Sequence, residues 1–242
     1  VFIETGPSTG ELTAPSVPRE LSTEEVRELV ELYRQAAINA RQAGFDGVEL
    51  HSANGYLINQ FISEHTNFRS DEYGGSLENR LRFLKQVTEA VSSVFGSQKV
   101  GVRFAPLFSS TDEDRVYLGL VEPDPQHTYL TAAAMLNEMK IGYLSIAEPD
   151  WDNSPDLPED FRQRLREVFR SPIICSGRYT RQKAERVLKN GWADLFGFGR
   201  TFIANPDLPA RLQNNYPLNS TDTSSLYGGS DAGYTDYPVY RP

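Results

Sequence analysis

Apolar residues recur at helical spacing across Thr23 to Gly44, TEEVRELVELYRQAAINARQAG: Val26, Leu29, Val30, Tyr33, Ala36, Ala37 and Ala40. Ser22 with Glu25 three residues on makes a capping-box start, and Gly44 is a helix stop. A short apolar run of the buried-strand type follows, FDGVELH (45–51). Four similar runs come later: KVGVRFAP (99–106), IGYLSIAE (141–148), SPIICSG (171–177) and ADLFGFGR (193–200). Helical patterns cover 77–95, about 126–139, 158–169 and 180–190, with a short one near 206–213. Strands alternating with helices of this length predict βαβ units and a parallel sheet. Five strands do not close an eight-stranded barrel, and a doubly wound sheet needs no closure, so periodicity leaves both architectures open.

Composition narrows the class. The 242 residues suffice for one large α/β domain or two small ones, and no low-complexity tract, charge block or repeat divides them. A hydrophobic fraction of 39% and an aromatic fraction of 11% support a packed core rather than disorder. With 24 Lys and Arg against 33 Asp and Glu, the formal net charge is −9, which argues against a nucleic-acid partner. No run approaches about 18 consecutive apolar residues, so no membrane span is expected. The first residues, VFIETGPSTG, have neither an initiator Met nor the basic-then-apolar pattern of a signal peptide. Their form is that of a chain beginning in the middle of something, and a cytoplasmic setting is expected. The single cysteine, Cys175, lies in the apolar run IIC and reads as an inert core thiol in a reducing compartment.

Candidate chemistry gathers at the strand ends, which close in His51, Arg103, Glu148, Gly177 and Gly199-Arg200. Ligands of parallel α/β folds bind at the carboxyl ends of strands, although each residue taken singly could be an ordinary loop residue. In HSANGY, His51 and Asn54 could both donate to one ligand oxygen, and Tyr56 adds a phenol as a proton donor. The structural alternative has His51 satisfying buried backbone and Tyr56 packing as core. Arg103 is a lone cation in an apolar strand and needs an anionic or polar partner, either a ligand or an internal carboxylate such as Glu148. Ser176-Gly177 and Gly197-Phe198-Gly199-Arg200 bring glycine backbone and a guanidinium to the last two strand ends, as a phosphate site would. The charged stretch Asn67 to Arg80 reads mainly as an Arg/Asp network holding a long loop, with Gly74 and Gly75 in a tight turn and Ser76 capping the next helix. No metal site is expected: the histidines show no HxxxH or HxH spacing and there is no CxxC. GxSxG, Walker and GxGxxG patterns are also absent.

These residues match a known pattern. GFDGVELHSANGYLINQFISEHTNFRSDEYGGSLENRLRF resembles the old yellow enzyme family of FMN-dependent ene-reductases, as do VGVRFAP, FGFGRTFIANPDL and GYTDYP. The likeness runs from about Pro18 to Tyr240. It implies a TIM (β/α)8 barrel with FMN at the carboxyl ends of its strands, and residues 1–242 as a single domain supplying part of it. His51 and Asn54 then bind the carbonyl oxygen of an α,β-unsaturated substrate, and Tyr56 protonates its α-carbon. Arg103 inherits the place beside the flavin ring, while Ser176, Gly177, Arg178, Gly199 and Arg200 match the phosphate-binding strand ends. Tyr227, in the late loop, corresponds to a substrate-lining tyrosine. The implied reaction is ping-pong: NADPH reduces FMN and leaves, and an enone is then reduced across its C=C bond.

Two departures from the family pattern stand out. Arg178 occupies a place where many relatives have Asn. Family members are also longer: the five strands here correspond to strands 4–8, and the first three βα units are expected to be missing. Such an arc would expose strands 45–51 and 193–200 at its edges. Three outcomes follow: a barrel completed by a second polypeptide, a short homologue completed as a homo-oligomer, or a flavin-free binding or scaffold subunit or cofactor-free isomerase on the open barrel.

Overall fold

The structure, a computed structural model, describes residues 19–108, 122–149, 155–226 and 231–241. Its helices are α1 (Thr23–Gln42), α2 (Leu57–Ile62), α3 (Leu77–Phe95), α4 (Pro125–Glu138), α5 (Glu159–Val168), α6 (Arg181–Lys189), α7 (Arg200–Ala204) and α8 (Leu208–Asn214). Its strands are β1 (Val48–His51), β2 (Val100–Phe104), β3 (Tyr143–Ala147), β4 (Ile173–Ser176) and β5 (Leu195–Gly197). The capping box of α1 forms as its sequence predicts. Glu25 N–H donates to Ser22 Oγ at 3.2 Å, and Ser22 N–H donates to Glu25 Oε2 at 2.7 Å. Ser76 caps α3 by accepting from Asn79 N–H, and Gly96 ends that helix at φ +82°. Two short helices, α2 and α7, carry no periodic signal; each begins within a few residues of a strand end.

The five strands pair in the order β1-β2-β3-β4-β5, every pair parallel. A doubly wound sheet reverses its strand order at a switch point. Here the order never reverses, so right-handed crossovers place successive helices on one side of the sheet. The chain forms five consecutive βα units of a TIM barrel.

Alternation along the strands separates two faces. Leu50, Val102, Phe104, Leu144, Ile146, Ile173 and Cys175 are buried on the helix-covered side, in the main apolar core. Burying each large side chain in that core stabilises the fold by roughly 1.5–3 kcal/mol. Phe83 of α3 joins the layers, its ring 4.4 Å from Phe61 of α2 and 6.1 Å from Tyr33 of α1. The other face carries Glu49, His51, Gly101, Arg103, Tyr143, Ser145 and Ser176, in register across β1 to β4. There Tyr143 lies across Gly101, whose hypothetical Cβ would sit 2.1 Å from the tyrosine ring, and approaches Glu49. Partial burial and the Glu49 carboxylate push its phenol up to about 12. At the β5 edge Leu195 is 55% exposed. At the β1 edge the expected exposure is limited: Leu50 is buried, and Glu49 and His51 are the exposed strand residues.

The charged loop before α3 is structural, as its composition suggests. Arg69 forks onto Asp71 at 3.0 and 2.6 Å and donates to Leu21 O at 2.6 Å, while Thr23 Oγ1 donates to Asp71 at 2.6 Å. Asn67 adds bonds to the carbonyls of Phe61 and Tyr73, both 2.7 Å. Among the described residues no helix is long and apolar enough to cross a membrane.

Candidate active site

The segment after β1 is a turn built for display. Asn54 and Gly55 both take left-handed backbone, φ +58° and +76°, which Asn and Gly tolerate best. Tyr56 N–H closes the turn on Ala53 O at 3.2 Å, and Tyr56 then begins α2 as its N-cap. Asn59, 3% exposed, accepts from Gly55 N–H at 3.0 Å and holds the turn from below. His51 is exposed and Tyr56 is half exposed, with ring centroids 5.0 Å apart. Neither packs as core, so the structural alternative for this pair fails. Partial burial, then the Arg103 charge, lower the pKa of His51 below its ordinary 6.5, so the ring is neutral at neutral pH and donates from one nitrogen.

Arg103 points from β2 into the same face. It donates to Ser145 Oγ at 3.1 Å and to Ser176 Oγ at 3.3 Å, so among the described residues two hydroxyls, not Glu148, are its hydrogen-bond partners. Of the two partners left open for Arg103, a ligand or an internal carboxylate such as Glu148, the second is not the one found, and strand alternation explains why. Ser145 and Ala147 face inward with Arg103, whereas Glu148 turns toward the helices. There its carboxylate is occupied by Arg162 at 2.9 and 2.7 Å, by Lys183 at 3.1 Å and by the Tyr179 hydroxyl.

One cleft of about 1140 Å³ opens at the carboxyl ends of the strands. Asn54, Tyr56 and Asn59 line it after β1, Arg103 and Pro106 from β2, and Ala147 to Pro149 after β3. Ser176 to Thr180 and Gly197 to Thr201 complete it after β4 and β5. Asn54, Tyr56, Arg103, Ser176, Gly177, Arg178, Gly199 and Arg200 therefore share one cavity, and His51 joins them through its contact with Tyr56. Tyr227 lies outside the described residues. Gly177 has φ +145°, and a Cβ there would meet Glu148 Cβ at 3.0 Å; a Cβ at Gly199 would meet nothing within 4 Å. One glycine is thus packed from behind and the other opens onto free space. Among the described residues of the lining, three arginines with glycine backbone suit an anionic, phosphate-bearing ligand, and the one carboxylate, Glu148, is already engaged. The donor set fits FMN. Among the described residues no group of three or more His, Cys, Asp or Glu is placed to hold a metal.

Sequence reasoning missed Asn59 and the partners of Glu148. Asn59 had a local signal, one of two adjacent amides within the otherwise apolar LINQFI. Arg162, Tyr179 and Lys183 had none, since they meet Glu148 only through the fold.

A parallel βα arc with polar donors after its first strand and an anion site three to four strands away defines part of a (β/α)8 barrel that binds an anionic ligand at its strand ends. Residues 4–219 match the model of the NADH:flavin oxidoreductase / NADH oxidase family. A putative 12-oxophytodienoate reductase 11 of Oryza sativa subsp. japonica is 40% identical over 227 residues, covering 92% of this chain and 60% of that protein. For 12-oxophytodienoate reductase 2 of Arabidopsis thaliana the figures are 39% over 224 residues, 91% and 58%. Among solved structures, morphinone reductase in complex with tetrahydroNAD superimposes with a TM-score of 0.86 at 43% identity, over 96% of this chain and 60% of that one. The old yellow enzyme homologue from Zymomonas mobilis gives 0.84 at 38% identity, over 95% and 63%. The chain belongs to the NADH:flavin oxidoreductase family, as a member of the old yellow enzyme type. It spans about 60% of the length of these relatives.

Proposed function

We propose that the chain is part of the barrel of an FMN-dependent ene-reductase that uses NADPH to reduce the C=C bond of an α,β-unsaturated carbonyl compound. The observation that carries this reading is one cleft holding Asn54, Tyr56 and Arg103 together with the glycines and arginines of the last two strand ends. FMN, when bound, supplies two-electron redox chemistry there. Gly177, Arg178, Gly199 and Arg200 would hold its phosphate, and Arg103, braced by Ser145 and Ser176, would face the ring with a fixed positive charge. His51 and Asn54 donate to the enone carbonyl oxygen and draw electron density toward it, which makes the β-carbon electrophilic. Tyr56 gives its hydroxyl proton to the α-carbon and, being half exposed, recovers one from water. That 12-oxophytodienoate and morphinone reductases are relatives supports an enone as substrate.

The face bearing Glu49, His51 and Tyr143, with exposed Leu195 at its edge, supports completion of the barrel by further βα units. The deciding experiment is a visible absorbance spectrum with intact mass on the purified protein, followed by NADPH oxidation with cyclohexenone. A flavin band with enone-dependent turnover is the expected result. A flavin-loaded assembly without turnover overturns the ene-reductase reading, and a colourless protein that takes up no added FMN overturns the flavin reading as well.

A further inference from the structure

We propose that Glu148 is the positioning residue of the anion-binding end of the cleft: from behind, it holds the Ser176–Tyr179 segment in the shape that receives a phosphate. This inference rests on the flavin reading above. Glu148 follows β3, and its side chain is 1% exposed. Its backbone fixes the start of the segment. Glu148 N–H donates to Ser176 O at 2.8 Å, and Gly177 packs so closely that a Cβ would lie 3.0 Å from Glu148 Cβ and 3.1 Å from its carbonyl oxygen.

Its carboxylate fixes the other end. It accepts from the Tyr179 hydroxyl and from Lys183 Nζ at 3.1 Å, and it takes both terminal nitrogens of Arg162, at 2.9 and 2.7 Å. Arg162 Nη1 also donates to Tyr179 Oη at 3.1 Å, which closes a ring of three buried groups. Gly177 and Arg178 are therefore held between Ser176 and Tyr179, both anchored on Glu148 and only three positions apart along the chain. The charges also balance. Glu148 with Asp156, which lies 2.5 Å from Lys183, offsets Arg162 and Lys183. The backbone that Glu148 steadies is that of Gly177 and Arg178, at the anion-binding end of the cleft.

A buried carboxylate with these partners is costly to disturb, and the disturbance falls on the phosphate end of the cleft. The test compares FMN with riboflavin, which lacks the phosphate, on the protein as purified and stripped of flavin. Wild type is expected to prefer FMN. Glu148→Gln, which keeps the volume and removes the charge, should weaken FMN binding roughly tenfold or more while changing riboflavin binding less than about threefold. Tyr179→Phe should show the same selective loss at smaller size, and it decides the matter by the same criterion if Glu148→Gln does not fold. Variants that keep the wild-type preference, or that lose both flavins equally with unchanged circular dichroism, overturn the proposal. A wild type that binds neither flavin overturns the flavin reading itself, and this inference with it.

Discussion

His51 and Arg103 stand side by side in register on β1 and β2, and the arginine's charge adds to burial in keeping the imidazole neutral. Removing the charge should let the ring hold its proton at higher pH. Arg103→Met is expected to raise the His51 pKa toward 6.5, measured by an NMR titration of the imidazole. The sign extends to stability. Below pH 6.5 the unfolded chain takes up a proton before the folded one does, so this group disfavours folding as pH falls. Arg103→Met should reduce that loss.

Tyr56 is half exposed beside His51 and is assigned the proton transfer. Replacing it by Phe should slow the enone half-reaction by about 10² to 10⁴-fold, the range of a lost general acid. Stopped-flow kinetics should show reduction by NADPH, and FMN affinity, unchanged within error. Full turnover in the variant would remove Tyr56 from that role.

Gly177 combines φ +145° with backbone contact to Glu148. Both oppose a side chain, the first through strain and the second through space. Gly177→Ala should displace the segment after β4 and weaken FMN binding by about tenfold or more, with a melting temperature lowered as well. Gly199→Ala meets no atom within 4 Å, so its effect on stability should be small; any loss should appear only as flavin affinity.

Cys175 is 3% exposed on the helix side of β4, and burial pushes its thiol up to about 11. Near pH 8 roughly one such thiol in a thousand is ionised. Alkylation by iodoacetamide should be negligible in the folded protein and complete in denaturant, read by intact mass. Rapid labelling without denaturant would place the residue at the surface.

Local signals were legible and distant ones were not. The capping box of α1 and the span of α3 follow from residues within one helix, so both could be read directly. Strand centres were legible too, but the apolar flanks ran past the hydrogen-bonded ladder. In KVGVRFAP only Val100–Phe104 is strand; Ala105 and Pro106 remain beside it as cleft wall. Helices α2 and α7 span fewer than two turns, too little for a period to show. Barrel and doubly wound sheet share one alternation of elements and part only in strand order, which is a property of pairing. At the site, residue types named the candidates, but the turn of Arg103 toward Ser145 and Ser176 depended on which strand face Glu148 occupies.

The unreversed strand order also bears on how the chain reaches its fold. Val48 pairs with Val100 and Gly101 with Tyr143, whereas Leu144 pairs with Ile173 and Ile174 with Leu195. The span closed by each pairing shortens toward the carboxyl terminus, to less than half its first length. By loop-closure entropy alone the last pairing is favoured over the first by roughly 0.8 kcal/mol. Assembly should therefore start at β4 and β5, which lead into Ser176–Thr180 and Gly197–Thr201 of the cleft, and proceed backward along the chain. Pulse-labelled hydrogen exchange should find the amides of Ile173–Ser176 protected before those of Val48–His51, and the reverse order would show that helix packing, not closure, directs the sequence of events.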